Sequence, residues 1–189
     1  MTKADLRKAL RAARREHVAA LPDQVRALVF HRPPAPLLDR IAEGVTIGLY
    51  VAHGDEAPAA SYTRFFAERG HRVALPRFAT REAEMQFALH SDPFGEGDLE
   101  DGPFGMHQPV ADAETVEPDV LFVPLIGFTT RGDRLGQGGG HYDRWLAGRP
   151  ETLRIGLAWD AQLVEDIPVE PHDVPLDAVV TPTRLYGPF

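Results

Sequence analysis

The sequence predicts an α/β protein, a single domain spanning residues 1–189 and built on one open, mostly parallel sheet. Three observations carry that prediction. The runs VTIGLYV (45–51) and VLFVPLIGF (120–128) are almost wholly apolar, as expected of strands covered on both faces. Helical patterns separate such runs, which is the rhythm of crossover connections in a parallel sheet. A glycine-dense turn, RGDRLGQGGGHYDR (131–144), follows the second run and leads into a helical pattern, the position of ligand-binding turns in open α/β sheets.

The elements follow in order. Thr2 and Asp5 make a capping-box pattern for a first helix, in which Leu6, Leu10, Ala13 and His17 form a buried stripe. Lys3, Arg7, Arg11 and Arg14 share another face, which on chemistry alone reads as a solvated basic row. A second helical stretch covers 22–42 and is broken by RPPAP at 32–36, which cannot continue a helix. The strand 45–51 comes next, then a helix over 59–69 with Gly70 at its end, then the strand RVALP. Residues 79–113 are rich in Gly, Pro and acid. They read as a surface excursion with short strands around 85–89, the alternative being a disordered loop. The strand 120–128, the glycine turn, a short helix from His141, and strands at 154–159 and 178–182 complete the chain.

Bulk properties narrow the function. The 189 residues are 43% hydrophobic and 25% charged, ordinary for a globular protein. There is no cysteine, which excludes disulfides, thiolate metal sites and cysteine nucleophiles. No apolar run approaches the roughly 18 residues of a membrane span, and the basic amphipathic N-terminus lacks a signal-peptide core, so a cytoplasmic protein with no membrane partner is expected. A net charge of −8 argues against a nucleic-acid partner and sets off the basic clusters at 3–15 and 131–144 as places for an anionic ligand. No repeats, HExxH or GxSxG occur, so neither a zincin nor an acyl-enzyme hydrolase is expected.

In the glycine turn, backbone N–H groups can approach a phosphate closely, Arg134 and Arg144 can add charge-assisted hydrogen bonds, and Asp143 offers a hard oxygen ligand for a nucleotide-bound magnesium. It is neither a P-loop, for no GxxxxGK[ST] occurs, nor a dinucleotide fingerprint, because His141 stands where that pattern needs glycine. A tight turn without ligand is the plain alternative. Residues beyond the strand ends, namely 51–56, 127–140 and Asp160, fall on the rim where such sheets bind ligands.

The string RLGQGGGHYDR resembles the RLGxGxGxYDR signature of the 5-formyltetrahydrofolate cyclo-ligase (methenyltetrahydrofolate synthetase) family. Further pieces are similar and in the same order: KADLRKALRAARR (3–15), IGLYVAHGDEA (47–57), RVALPRF (72–78), FGMHQP (104–109) and the tail 155–182. The resemblance implies the Rossmann-like three-layer fold also found in ribose-phosphate isomerase and coenzyme A transferase-like proteins. It implies an enzyme, acting as a monomer, that uses ATP with Mg2+ to cyclise 5-formyltetrahydrofolate to 5,10-methenyltetrahydrofolate through an N5-iminium phosphate, releasing ADP and phosphate.

Carried over residue by residue, the resemblance assigns Lys3, Arg7 and the loop residues Arg134, Leu135, Gly136, Gln137, Gly138, Gly139, Gly140, His141 and Tyr142 to ATP. It assigns Val51 and Glu56, with Gly140, His141 and Tyr142, to the folate, and Asp143 and Asp173 to magnesium. Lys3 and Arg134 are the expected catalytic cations, and no protein nucleophile is expected. Asp177, four residues beyond Asp173, is the tempting wrong choice for the metal. The chain departs from the family pattern at Gln137, where an aromatic or basic residue is common, and at His141, where tyrosine is usual. Gly139 replaces a lysine found in some members, and EAPAAS (56–61) lacks the acidic-Thr pair that often follows the glutamate. The competing readings are a diverged, non-catalytic nucleotide- or folate-binding protein of the same fold, and a sugar-phosphate isomerase or acyl-coenzyme A transferase of the same architecture.

Overall fold

The computed structural model describes residues 2–189. Helix α1 (Lys3–Ala20) opens on the expected capping box, Thr2 and Asp5 satisfying each other's backbone N–H. Its buried residues are Leu10, Arg14 and Val18, so the inward stripe includes an arginine from the row read as solvated. The 22–42 stretch is broken as expected: α2 (Asp23–Leu28) and α3 (Ala35–Leu38) are short, and Pro34 sets up the second. Then come β1 (Thr46–Gly48), α4 (Ala60–Glu68) and β2 (Arg72–Arg77).

The excursion at 79–113 holds more order than its composition suggests. It contributes β3 (Gln86–Leu89) to the main sheet, and β4 (Leu99–Asp101) pairs with β5 (His107–Pro109) as a separate ribbon. Asp98 ties the acidic turn together by accepting from the Ser91 backbone N–H and facing the buried His90 ring at 2.9 Å. After β6 (Thr115–Val116), the predicted strand 120–128 is not continuous. β7 (Val120–Pro124) ends at a proline, which has no N–H to extend the ladder. The chain bends there and forms the ribbon β8 (Gly127–Phe128) with β9 (Arg134–Leu135). The carbonyls at the bend, Leu125 O and Ile126 O, accept from the buried Gln162 amide at 2.7 and 3.1 Å. The glycine loop therefore follows β9 and not the sheet strand itself. α5 (His141–Ala147), β10 (Leu153–Leu157), β11 (Ala178–Val180) and β12 (Leu185–Tyr186) complete the chain.

The eight-stranded sheet has the order β12-β11-β10-β7-β1-β2-β3-β6. Its central strands β11, β10, β7, β1 and β2 are parallel, and the antiparallel strands lie at the edges. Alternate residues of each central strand feed two cores. Val120, Phe122, Ile155 and Leu157 face a core with Val18, Tyr62 and Phe66, whereas Leu121, Val123 and Val179 face a core with Trp145 and Leu146 of α5. Helices thus cover both faces. From β1 the chain leaves through α4 to β2, and from β7 it leaves in the other direction through α5 to β10. The crevice between the carboxyl ends of β1 and β7 is the topological switch point, where open sheets bind ligands.

Candidate active site

A cavity of about 730 Å3 occupies that crevice. Its walls come from the switch point (Tyr50, Val51 and Glu56 beyond β1, Pro124 at the end of β7), from Lys3 and Arg7 of α1, from the glycine loop, and from the segment 170–173. All the residues assigned above to ATP, folate and metal line it. Of the other rim candidates, Asp160 does not: its carboxylate accepts from Thr181 and Thr183 and braces the far end of the sheet.

The glycine loop is held from α1. Arg7 Nε donates to Gly136 O at 2.9 Å, and Arg11 Nη2 donates to Gln137 O at 3.1 Å and Oε1 at 2.9 Å. Among the described residues, no hydrogen bond engages the backbone N–H groups of residues 136–140, so the loop offers a row of free donors to the cavity. Gly140 precedes α5 in the left-handed region (φ 65), and a Cβ on Gly139 would meet the His141 ring at 2.8 Å. Gly140 needs glycine for its conformation, whereas a side chain at Gly139 requires the His141 ring to shift.

Cations and carboxylates alternate around the loop. Arg134, its side chain only 4% exposed, donates from Nη2 to Asp143 Oδ1 at 2.5 Å, and its Nε is buried without a partner. Val174 N donates to the same Asp143 oxygen at 3.2 Å, which puts Asp143 beside the peptide that follows Asp173. Lys3 Nζ lies 2.6 Å from Asp173 Oδ2 and 2.5 Å from Glu170 Oε2. Burial works against the Lys3 ammonium, but the two carboxylates outweigh it and raise its pKa above the ordinary lysine value. Asp173 is the mirror case: burial would raise it, and the hydrogen bonds from Lys3 and from Glu170 N hold it below the usual carboxylate range. Asp143 Oδ2 and Asp173 Oδ1 accept no hydrogen bond among the described residues. Two carboxylates with spare oxygens on the wall of one cavity suit a hard cation such as Mg2+, which takes one or two carboxylates with phosphate and water. Glu170, His172 and Asp173 bring donor atoms within 4.8 Å of one another, so Glu170 and His172 are donors beside Asp173 that sequence reasoning missed, and Asp143 lies outside this cluster.

The opposite wall is aromatic. The His141 ring packs edge-on against Phe78, centroids 4.9 Å apart, and tilts against Phe104 at 5.6 Å. Phe104 and Met106 come from the excursion, whose place in the site carried no sequence signal beyond the FGMHQP resemblance. Burial and then the nearby Arg144 charge lower the His141 pKa, and His141 Nδ1 accepts from Arg144 Nη2 at 3.0 Å, leaving the neutral Nε2–H form. Burial, reinforced by the Glu56 charge, pushes the Tyr50 and Tyr142 phenols well up, so both stay protonated. Glu56 sits between these walls, its Oε2 accepting from His53 N at 2.9 Å. Behind it, Arg14 is buried, donates weakly to Leu125 O at 3.4 Å and leaves Nε unpaired; burial lowers its pKa, and Glu56 and Asp55 partly offset this.

The mostly parallel sheet thus brings free N–H donors, cations and carboxylates with spare oxygens together at its switch point, next to an aromatic slot. The 5-formyltetrahydrofolate cyclo-ligase family profile matches residues 1–182. The chain is 35% identical over 147 residues to a 5-formyltetrahydrofolate cyclo-ligase of Escherichia coli, covering 75% of this chain and 80% of that one. It is 36% identical over 146 residues to the one from Mycolicibacterium smegmatis, covering 75% of each. The Aquifex aeolicus 5,10-methenyltetrahydrofolate synthetase structure superposes with a TM-score of 0.79 at 25% identity, over 100% of this chain and 93% of that one. This chain belongs to the 5-formyltetrahydrofolate cyclo-ligase family and is an enzyme, a ligase of folate metabolism. Membership sets aside the isomerase and transferase readings. No helix among the described residues is long and apolar enough to cross a membrane.

Proposed function

We propose that the chain cyclises 5-formyltetrahydrofolate to 5,10-methenyltetrahydrofolate, consuming ATP and releasing ADP and phosphate. The observation that carries this reading is the meeting, in one cavity, of Lys3, Arg7, Arg134 and the free loop donors with the Asp143 and Asp173 carboxylates.

The chemical difficulty is that a formamide oxygen is a poor leaving group. Its attack on the γ-phosphorus breaks the bond to the bridging oxygen, ADP departs, and the formyl carbon becomes an N5-iminium phosphate. N10 then attacks that carbon and loses its proton, and phosphate leaves with the former formyl oxygen. Phosphoryl transfer asks for positioning and fixed positive charge more than for covalent help. Lys3, Arg134 and the loop N–H groups meet the triphosphate, and Arg7 fixes the loop by its bond to Gly136 O. Asp143 and Asp173 would hold Mg2+, which would supply further positive charge to the phosphates. The buried Arg134 holds Asp143 in place on the cavity wall, and its unpaired Nε leaves it a further donor. Glu56 accepts from the pterin N–H groups, and His141 with Phe78 and Phe104 packs against the pterin ring.

The test is turnover. Purified protein, 5-formyltetrahydrofolate, ATP and magnesium should yield the methenyl absorbance with one ADP per product, and omission of ATP should abolish it. Binding of both ligands with no product would favour the non-catalytic reading instead.

A further inference from the structure

The glycine loop and the folate carboxylate are joined through one side chain. Gln137 Oε1 accepts from Arg11 Nη2 at 2.9 Å, and Gln137 Nε2 donates to Glu56 Oε1 at 3.0 Å. The amide orientation is forced chemically: a guanidinium only donates, so it must face the amide oxygen, and a carboxylate only accepts, so it must face the NH2. The bond spans 81 residues of chain and crosses the mouth of the cavity, from the phosphate loop to the loop beyond β1. Glu56 Oε2 is already fixed by His53 N, so the amide completes the orientation of the carboxylate while leaving lone pairs for a ligand.

We infer that Gln137 is a positioning residue that couples the two substrates, holding Glu56 for the pterin when the phosphate loop is filled. The inference rests on the function proposed above. Its physical basis is the state of the loop. Among the described residues, no hydrogen bond engages the N–H groups of residues 136–140, and the backbone here is anchored by Arg11 at Gln137 and by Arg7 one residue earlier. Phosphate bound to those N–H groups fixes that backbone. The Gln137 amide, and with it Glu56, is then ordered before the folate arrives. The folate no longer bears that ordering cost, and by linkage it returns the same advantage to the nucleotide. Reciprocal coupling of this kind suits an enzyme that must not expend ATP without the folate present. Among the described residues, Gln137 is the loop residue whose side chain makes a direct hydrogen bond to a folate-wall carboxylate.

The experiment measures 5-formyltetrahydrofolate affinity by calorimetry, with and without magnesium and a non-hydrolysable ATP analogue, which separates binding from turnover. For the wild type, the analogue is expected to tighten folate binding by about ten-fold, within the usual range for coupled sites. Gln137→Met keeps the length of the side chain but cannot donate, and should cut the tightening to about two-fold or less while weakening folate itself by about ten-fold, the usual effect of losing a hydrogen bond to a charged group. Arg11→Met keeps the Gln137 side chain but removes the guanidinium that orients it, and should remove most of the tightening as well, a result that mere misfolding of the loop would not give if nucleotide affinity is retained. Wild-type tightening in Gln137→Met, or no tightening in the wild type, overturns the inference. A wild-type chain that binds neither ligand overturns the functional proposal first, and this inference with it.

Discussion

Arg134–Asp143 and Arg154–Asp177 join the same two residue types at similar distances, 2.5 and 2.7 Å, but they leave different chemistry behind. Asp177 is saturated. Its Oδ2 accepts from Arg154 N and Nε, both at 2.8 Å, its Oδ1 accepts from Arg154 Nη2, and the pair bolts β10 to β11. Asp143 gives both its bonds through Oδ1 and keeps Oδ2 free beside the glycine loop, while Arg134 keeps a buried unpaired Nε. A saturated pair is a structural fastening. A half-satisfied pair lining a cavity keeps an acceptor and a donor that a ligand can meet, because buried polar groups are ordinarily satisfied.

The comparison can be broken by exchanging the outcomes of equivalent substitutions. Asp143→Asn should lower turnover by about a thousand-fold, the scale for losing an electrostatic group at a transferring phosphoryl, and should also lower the melting temperature, because the buried Arg134 guanidinium loses its carboxylate. Asp177→Asn should cost stability alone: steady-state constants per folded molecule hold, and stability falls by about 2 kcal/mol as one member of a half-buried pair loses its partner. In a chain of this size that is a drop of roughly 5 °C in Tm by calorimetry. Gly140→Ala should cost about 1 kcal/mol through its left-handed backbone, with a Cβ 2.9 Å from Arg144 Nη1 adding local displacement that raises the KM for ATP.

The smallest effect is in pH. Burial alone would raise the Asp177 carboxyl, and the hydrogen bonds from Arg154 overcome it and lower the pKa. A carboxyl depressed in the folded state stabilises fully above its unfolded value of about 3.9, and that stability is lost as pH falls through the lower folded value. Thermal denaturation followed below about pH 5 should therefore lose stability less steeply in Asp177→Asn than in the wild type. A residual slope should remain, because Asp98 and Asp173 are also held low.

The parallel sheet and the glycine loop were legible because local signals carry them: unbroken apolar runs, a dense glycine cluster and a helix start at His141. Asp143, Asp173 and Glu56 were legible through family resemblance, since an isolated acid in a loop has no distinguishing pattern of its own. The break at Pro124 was missed because LIGF continues the apolar run, and only the long-range bonds to Gln162 reveal the bend. The inward turn of Arg14, the bridge through Gln137 and the contribution of Phe104 depend on contacts between segments far apart in sequence. Periodicity cannot report such contacts.

The most direct measurement is the magnesium dependence of methenyl formation, recorded side by side for the wild type, Asp143→Asn and Asp177→Asn under conditions where all three remain folded. The account predicts saturable magnesium-dependent turnover in the wild type and Asp177→Asn, and its collapse in Asp143→Asn. Equal turnover in the two variants would contradict it, because the spare oxygen of Asp143 would then have no part in the reaction.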